Sequence, residues 1–170
     1  ADAHDLPFAK QSFDLVLCHF LLLWVRHPMS VLQEMVRVVR TGGAVMALAE
    51  PDYGGRIDYP PELEEIGAWQ VQSLHIQGAD TNIGRTLGGL LSRIGIEQVQ
   101  VGVLGGQWKM NDDQTCSDSE WQVFASDLSI IPAPPSNAEL QRIHEAEKAS
   151  KAHGERILFV PTFYAWGIRP

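Results

Sequence analysis

The densest group of reactive side chains in the sequence is the run Glu50-Pro51-Asp52-Tyr53-Gly54-Gly55-Arg56. It offers two carboxylates, a phenol and a guanidinium, with glycines that let backbone approach a ligand closely. Such a set binds the polar groups of a small substrate; the plainer reading is a capped, solvated turn. His19 follows an apolar run, and an imidazole is the side chain suited to taking a proton near neutral pH. It is the candidate general base. Arg85, behind Asn82-Ile83-Gly84, carries a planar fork that matches a carboxylate. Trp24 sits in the run Phe20-Leu21-Leu22-Leu23-Trp24-Val25, as core or as the wall of a pocket. No metal constellation stands out. His4 adjoins Asp5, and His144, Glu147 and His153 read as a polar helix run. No Ser-His-Asp arrangement has supporting context. The chemistry on offer is positioning and proton transfer.

These residues need a frame, and the apolar pattern supplies one of alternating strands and helices. Phe13 to Cys18 is a short apolar run after an Asp-Leu-Pro turn, as in a buried parallel strand. Pro28 suits the first turn of a helix, where its missing N–H costs nothing. Val31, Leu32, Met35, Val36, Val38 and Val39 continue an apolar helical face through Arg40, and Gly42-Gly43 stop it. Ala44 to Ala49 is a second buried strand, so the run from Glu50 to Arg56 begins at its carboxyl end. Helices are predicted over about 62–76, 86–94, 117–128 and 137–152, with Ser136 or Asn137 capping the last. Ile96 to Leu104 alternates as a more exposed strand does. Ile157 to Ile168 is the final strand, and Pro161 within it predicts an edge position or a bulge. Gly42-Gly43 and Gly105-Gly106 read as turns rather than phosphate loops.

Composition narrows the function classes. A chain of 170 residues suits one domain with a real core. A net charge of −8, without a basic stripe, argues against nucleic-acid binding. The longest apolar run is far too short to span a bilayer, so no membrane partner is expected. Cys18 and Cys116 form no CxxC pair, which suggests neither a disulfide scaffold nor a zinc site and makes a cytoplasmic location the default. Helices between strands imply a mainly parallel α/β sheet, with ligands bound beyond the carboxyl ends of its strands.

The ordered set Asp2-Ala3, Leu6-Pro7-Phe8, Ser12-Phe13-Asp14-Leu15-Val16, Glu34, and Arg37-Val38-Val39-Arg40-Thr41-Gly42-Gly43 resembles the middle of a class I S-adenosylmethionine-dependent methyltransferase. Thr41 stands where that family usually has Pro. The resemblance is strongest over residues 1–50, weaker over 78–104 and faint elsewhere. It implies a Rossmann-like doubly wound sheet of order 3-2-1-4-5-7-6 with the last strand antiparallel. Phe13–Cys18 would be strand 4, Ala44–Ala49 strand 5, Ile96–Leu104 strand 6 and Ile157–Ile168 strand 7. The family's glycine-rich loop lies upstream of the matching pattern, so the chain reads as the C-terminal portion of a single domain, with a substrate-side capping insertion at about 54–85.

The same resemblance implies S-adenosylmethionine as cofactor. Asp2 and Ala3 match the pair set against the adenine, and Cys18 and His19 follow the strand that lines the sulfonium and the substrate. Trp24, Glu50, Asp52, Tyr53, Arg56 and Arg85 are then the substrate-side candidates; Gly84-Arg85 is similar to a Gly-Arg motif of some members. Asp14 and the Glu34–Arg37 pair read as structural. The expected activity is methyl transfer to a small molecule, absent from this chain in isolation. The alternative is a non-catalytic methyltransferase-like domain that acts in binding or assembly. A strand 4 without its family neighbour would present an apolar edge, so self-association through Phe13–Cys18 is expected.

Overall fold

The computed structural model describes residues 2–105 and 117–170; Gly106 and Cys116 lie outside them. The chain divides into two compact units. The first comprises residues 1–54, 79–105 and 161–170, and the second residues 55–78 and 106–160.

The first unit is built on strand β1 (Phe13–His19), helix α1 (Pro28–Val38) and strand β2 (Val39–Pro51). Strands β1 and β2 run parallel, with Leu15 opposite Ala44 and His19 opposite Leu48. A parallel pair needs a crossover, and α1 provides it. Its Val31, Leu32, Met35 and Val38 are buried at helical spacing, the stripe expected from the sequence. The helix ends two residues earlier than its apolar pattern suggests. Val39 already takes extended backbone and opens β2. Gly42 then adopts φ +74, and a Cβ on Gly43 would lie 2.7 Å from the Asp14 carbonyl oxygen. The two glycines therefore serve a tight approach inside the strand rather than the end of the helix.

Helix α3 (Leu87–Arg93), strand β4 (Glu97–Leu104) and strand β6 (Thr162–Ile168) complete this unit. Among the described residues the sheet order is β1-β2-β6-β4, with β6 antiparallel to both of its neighbours. That is the order 4-5-7-6 implied by the resemblance, with three strands pointing one way and the last strand opposed. The expectation for Pro161 is corrected. It creates no edge strand, because β6 lies between β2 and β4. Instead it falls where the chain passes from β5 (Ile157–Phe159) of the second unit to β6 of the first, so the single final strand is two. A proline cannot donate to a ladder, and a break between two sheets is a place where it need not.

Arg169 ties the end of β6 to the start of the unit. Its Nη1 donates to the carbonyls of Val36 (2.9 Å) and Val39, at the carboxyl end of α1 where carbonyls lack helical partners. Its backbone N–H donates to Gly43 O at 2.9 Å, and its carbonyl accepts from Gly42 N at 2.8 Å.

The second unit pairs β3 (Ile57–Tyr59) antiparallel with β5 and packs helices α2 (Glu64–Ile76), α4 (Ser117–Asp127) and α5 (Asn137–Ala152). Strand β3 was not apparent in the sequence. Leu63, Ile66 and Ile143 form its core, with Trp69, Trp121 and Phe124 against them. Ser136 caps α5 in a reciprocal capping box with Glu139. Asp58 is buried between two guanidiniums, Arg56 and Arg156, and Glu147 faces Arg156 Nε at 3.5 Å. The four charges cancel, which is what allows them to be buried together. A Cβ on Gly67 would come within 2.9 Å of Arg56 Nε and Asp58 Oδ2, so α2 has no side chain where the cluster passes.

Replacing Arg169 with Met should cost about 1.5–3 kcal/mol, the range for hydrogen bonds that involve a charged group. Chemical unfolding of the two proteins, followed by circular dichroism, measures it.

Candidate functional site

The carboxyl ends of β1 and β2 point the same way, so the residues that follow them share one edge of the first unit. After β1 come His19 and Phe20, then a short 3-10 turn, Leu22–Trp24. After β2 come Asp52 and a 3-10 turn over Tyr53–Gly55. This is the edge at which open α/β sheets bind ligands.

The Asp2-Ala3 segment meets the same edge through His4. The His4 and His27 rings lie 6.3 Å apart, edge to face, and His27 is the residue before α1, on the connection from the end of β1. Asp2 Oδ1 accepts from the His4 backbone N–H at 2.9 Å and faces His4 Nδ1 at 2.8 Å. The backbone N–H and then the ring hold the Asp2 carboxyl below its usual range. With a carboxylate on Nδ1 and no partner at Nε2 among the described residues, the ring proton belongs on Nδ1. The Asp2 side chain is 69% exposed, and Oδ2 is open to a donor.

The loop behind Asp2 is pinned by Glu34 and Arg37, one helical turn apart on α1. Glu34 Oε2 accepts from Leu6 N at 3.0 Å. Arg37 donates to the carbonyls of Phe8 (2.8 Å) and Leu6 (2.9 Å) while pairing with Glu34 at 2.8 Å. The pair was expected to be structural, and it links α1 to the Leu6-Pro7-Phe8 turn. Bonding to the Arg37 guanidinium and the Leu6 N–H draws the Glu34 carboxyl down to about 2.

Glu50 is placed otherwise than a substrate ligand would be. It is completely buried. Its Oε1 accepts from Leu21 N and Leu22 N, both at 2.9 Å, and its Oε2 from Leu23 N at 3.2 Å. Three backbone donors satisfy a buried carboxylate, and among the described residues no cationic side chain is bonded to it. Cys18 is buried as well. Burial first, and the nearby Glu50 second, push its thiol up to about 12, so it is an inert protonated group at neutral pH. His19 is exposed, and Phe20 and Trp24 are each 42% exposed.

The geometry here is locally costly. Phe20 (φ 50) and Ala49 (φ 56) take left-handed backbone without being glycine. Each such residue costs on the order of 1–3 kcal/mol and persists only where its surroundings over-determine it. Gln11 and Gln98 do the same elsewhere. The pairing of β2 with β6 also shifts register between Ala47 and Glu50.

Asp52, almost fully buried, is gripped by Arg85 through two bonds of 2.6 Å. Gly54 N–H is shared between Asp52 Oδ1 and Asn82 Oδ1, each at 3.1 Å. Arg85 thus forks onto a carboxylate of its own chain, with about half of its side chain still exposed. Tyr53 is half-buried and its N–H donates to Thr81 O at 2.8 Å. Arg56 is not with them. It lies in the second unit, buried against Asp58 and Gln70, where burial and two polar partners occupy its fork. The run Glu50–Arg56 is therefore not one cluster. Asn82 joins the Asp52–Arg85 pair through the shared Gly54 N–H.

Residues 1–47 match the methyltransferase domain family. The chain is 33% identical over 87 residues to an uncharacterized methyltransferase of Schizosaccharomyces pombe, a stretch of 51% of this chain and 31% of that protein. It is 45% identical over 56 residues to a demethylmenaquinone methyltransferase of Bacillus velezensis, covering 32% of this chain and 24% of the other. Its fold is similar to that of a SAM-dependent methyltransferase of Thermotoga maritima, with a TM-score of 0.53 at 16% identity over all of this chain and 62% of that one. The family likeness covers residues 1–47, under a third of the chain, and the structural likeness is one of fold. These matches cover about a quarter to a third of the two sequence relatives, and 62% of the Thermotoga protein. Among the described residues, no helix is long and apolar enough to cross a membrane.

The Glu34–Arg37 clamp is open to titration. A carboxyl drawn down to about 2 on folding stabilises the native state fully above its ordinary value near 4.5, and that stabilisation fades as pH falls toward 2. The melting temperature of the wild type should exceed that of Glu34→Gln at pH 6. The gap should close steadily between about pH 4.5 and 2.

Proposed function

We propose that this chain supplies the adenine side and the acceptor side of a site for S-adenosylmethionine-dependent methyl transfer to a small molecule. The observation that carries the reading is one edge. The carboxyl ends of β1 and β2, the Asp2–His4 segment beside His27 and the family match over residues 1–47 all fall on the same part of the chain. The donor set suits the cofactor. Asp2, ionised and with Oδ2 open, accepts from an exocyclic amine, and the Ala3 backbone N–H is of the type that donates to a ring nitrogen.

When bound, the cofactor supplies an electrophilic methyl on a sulfonium whose leaving group is a neutral thioether. The chain's own part is mostly orientation, which is where most of such an acceleration originates. Phe20 and Trp24 offer apolar surface at the acceptor side, His19 is the exposed base available to take the acceptor's proton, and Arg85 keeps Asp52 and the Tyr53 turn in place.

A second reading, a non-catalytic binding or assembly domain, is favoured by one feature. Strand β1 pairs only with β2 among the described residues, and its Phe13, Leu15 and Leu17 are exposed. Alternate apolar side chains on an open strand edge favour pairing with a second copy of the chain. Sedimentation should then find a dimer that Leu15→Lys with Leu17→Lys returns to monomer; a wild-type monomer at high concentration excludes this reading.

The enzymatic reading is tested by calorimetric titration with S-adenosylhomocysteine, which cannot react. Binding is expected, weakened about tenfold or more by Asp2→Ala, the size of one lost hydrogen bond to a charged acceptor. S-inosylhomocysteine, which lacks the amine, should bind the wild type about as poorly as S-adenosylhomocysteine binds the variant. Equal binding of both ligands to the wild type would remove Asp2 from the site.

A further inference from the structure

We propose that Glu50 is the positioning residue of this site. Its carboxylate sets the backbone from His19 to Trp24 and so decides where His19, Phe20 and Trp24 stand relative to the reacting end of the cofactor. The inference rests on the function proposed above and deepens it.

Four features converge on this one place. First, Glu50 is completely buried and spends both oxygens on three consecutive backbone N–H groups, those of Leu21, Leu22 and Leu23. Second, the register shift between β2 and β6 falls between Ala47 and Glu50. An irregularity of this kind re-aims a side chain that regular pleating would send elsewhere. Third, Ala49, immediately before Glu50, is left-handed. Fourth, Phe20, immediately before the three donors, is left-handed too, and its N–H reaches back to Leu48 O at 3.0 Å. Core packing needs none of these. A leucine at position 50 would fill the space without burying a carboxylate, and a regular β2 would pair with β6 throughout. Strain kept at the carboxyl edge of a parallel sheet, and kept by a buried acid, indicates a backbone held in a required shape.

The residues so held are the exposed ones. Leu22 and Leu23 are fully buried and anchor the turn, whereas His19, Phe20 and Trp24 face out. Asp80 N–H donates to Leu23 O at 2.8 Å, so the far side of the turn is fixed as well. Glu50 thus acts at one remove. It touches no ligand itself, but it holds the segment that would.

Glu50→Gln isolates the claim. Its remaining oxygen still accepts from Leu21 and Leu22, while its NH2 meets the Leu23 N–H, donor against donor. Amide exchange at Leu21–Leu23 should speed up about tenfold relative to the wild type, with the α1 amides of Leu32 and Met35 unchanged. Affinity for S-adenosylhomocysteine should fall about tenfold, while affinity for adenosine, which lacks the sulfur end, should hold. Faster exchange with S-adenosylhomocysteine affinity intact would make Glu50 merely structural and overturn the inference alone. Equal loss of both ligands overturns it too, since the effect would then be global. A wild type that binds neither ligand overturns the proposed function, and this inference with it. Should Glu50→Gln fail to fold, exchange in the wild type decides. Sinefungin is expected to add protection at residues 20–24, and no added protection there overturns the proposal.

Discussion

The parallel pairing of β1 with β2 is the constraint from which the rest of the first unit follows. A parallel pair cannot be closed by a hairpin, so α1 must cross between them and bury an apolar stripe on the way. The same pairing sends both carboxyl ends to one edge and makes two loops neighbours although some thirty positions separate them. Those loops contain backbone polar groups that need partners, and Glu50 accepts from three of their N–H groups. At the start of β1 the need is met from α1, where Glu34 and Arg37 bond the Leu6-Pro7-Phe8 turn. At the carboxyl end of α1 it is met by Arg169 from the last residues of the chain. A few charged side chains, each serving backbone atoms of a remote segment, turn one strand pairing into a defined site.

Much of this frame was legible in the sequence, because it rests on periodicity. The stripe Val31, Leu32, Met35 and Val38 and the apolar runs of β1 and β2 recur at spacings that only a helix or a buried strand uses. The strand order followed once those runs were aligned with a known pattern. The errors fall where local signals compete with tertiary demands. Val38 and Val39 look alike to a helical count, yet one ends α1 and the other begins β2, since Gly43 is needed for close contact with Asp14. Pro161 suggested an edge or a bulge, but a proline between two sheets satisfies the same rule with β6 inside its sheet.

The site was less legible, for a reason particular to charged residues. Within the run from Glu50 to Arg56, sequence alone presents four polar side chains as equals. Folding sorts them by partner. Glu50 turns inward because a register shift in β2 and a left-handed Ala49 aim it at the N–H groups after β1, none of which a residue count locates. Asp52 is taken by Arg85, thirty-three positions on. Arg56 crosses a Gly-Gly boundary into another unit and is neutralised there. Cys18 and His19 are adjacent, yet strand alternation buries the thiol and exposes the imidazole, so only one is available for chemistry.

The division of labour that results has a physical logic. A reaction carried mainly by orientation asks for rigid backbone more than for reactive side chains. The interior of this unit accordingly holds two buried carboxylates, Glu50 bonded to backbone and Asp52 to the half-exposed Arg85, while the exposed edge presents an imidazole, two aromatic rings and one open carboxylate oxygen. A buried acid that binds three N–H groups fixes direction more sharply than an apolar contact, because hydrogen bonds weaken steeply with angle and dispersion does not. Desolvating that acid is costly, and the left-handed residues on either side add to the cost. Neither expense improves the core, so the return on both must be looked for in the shape of the segment between His19 and Trp24.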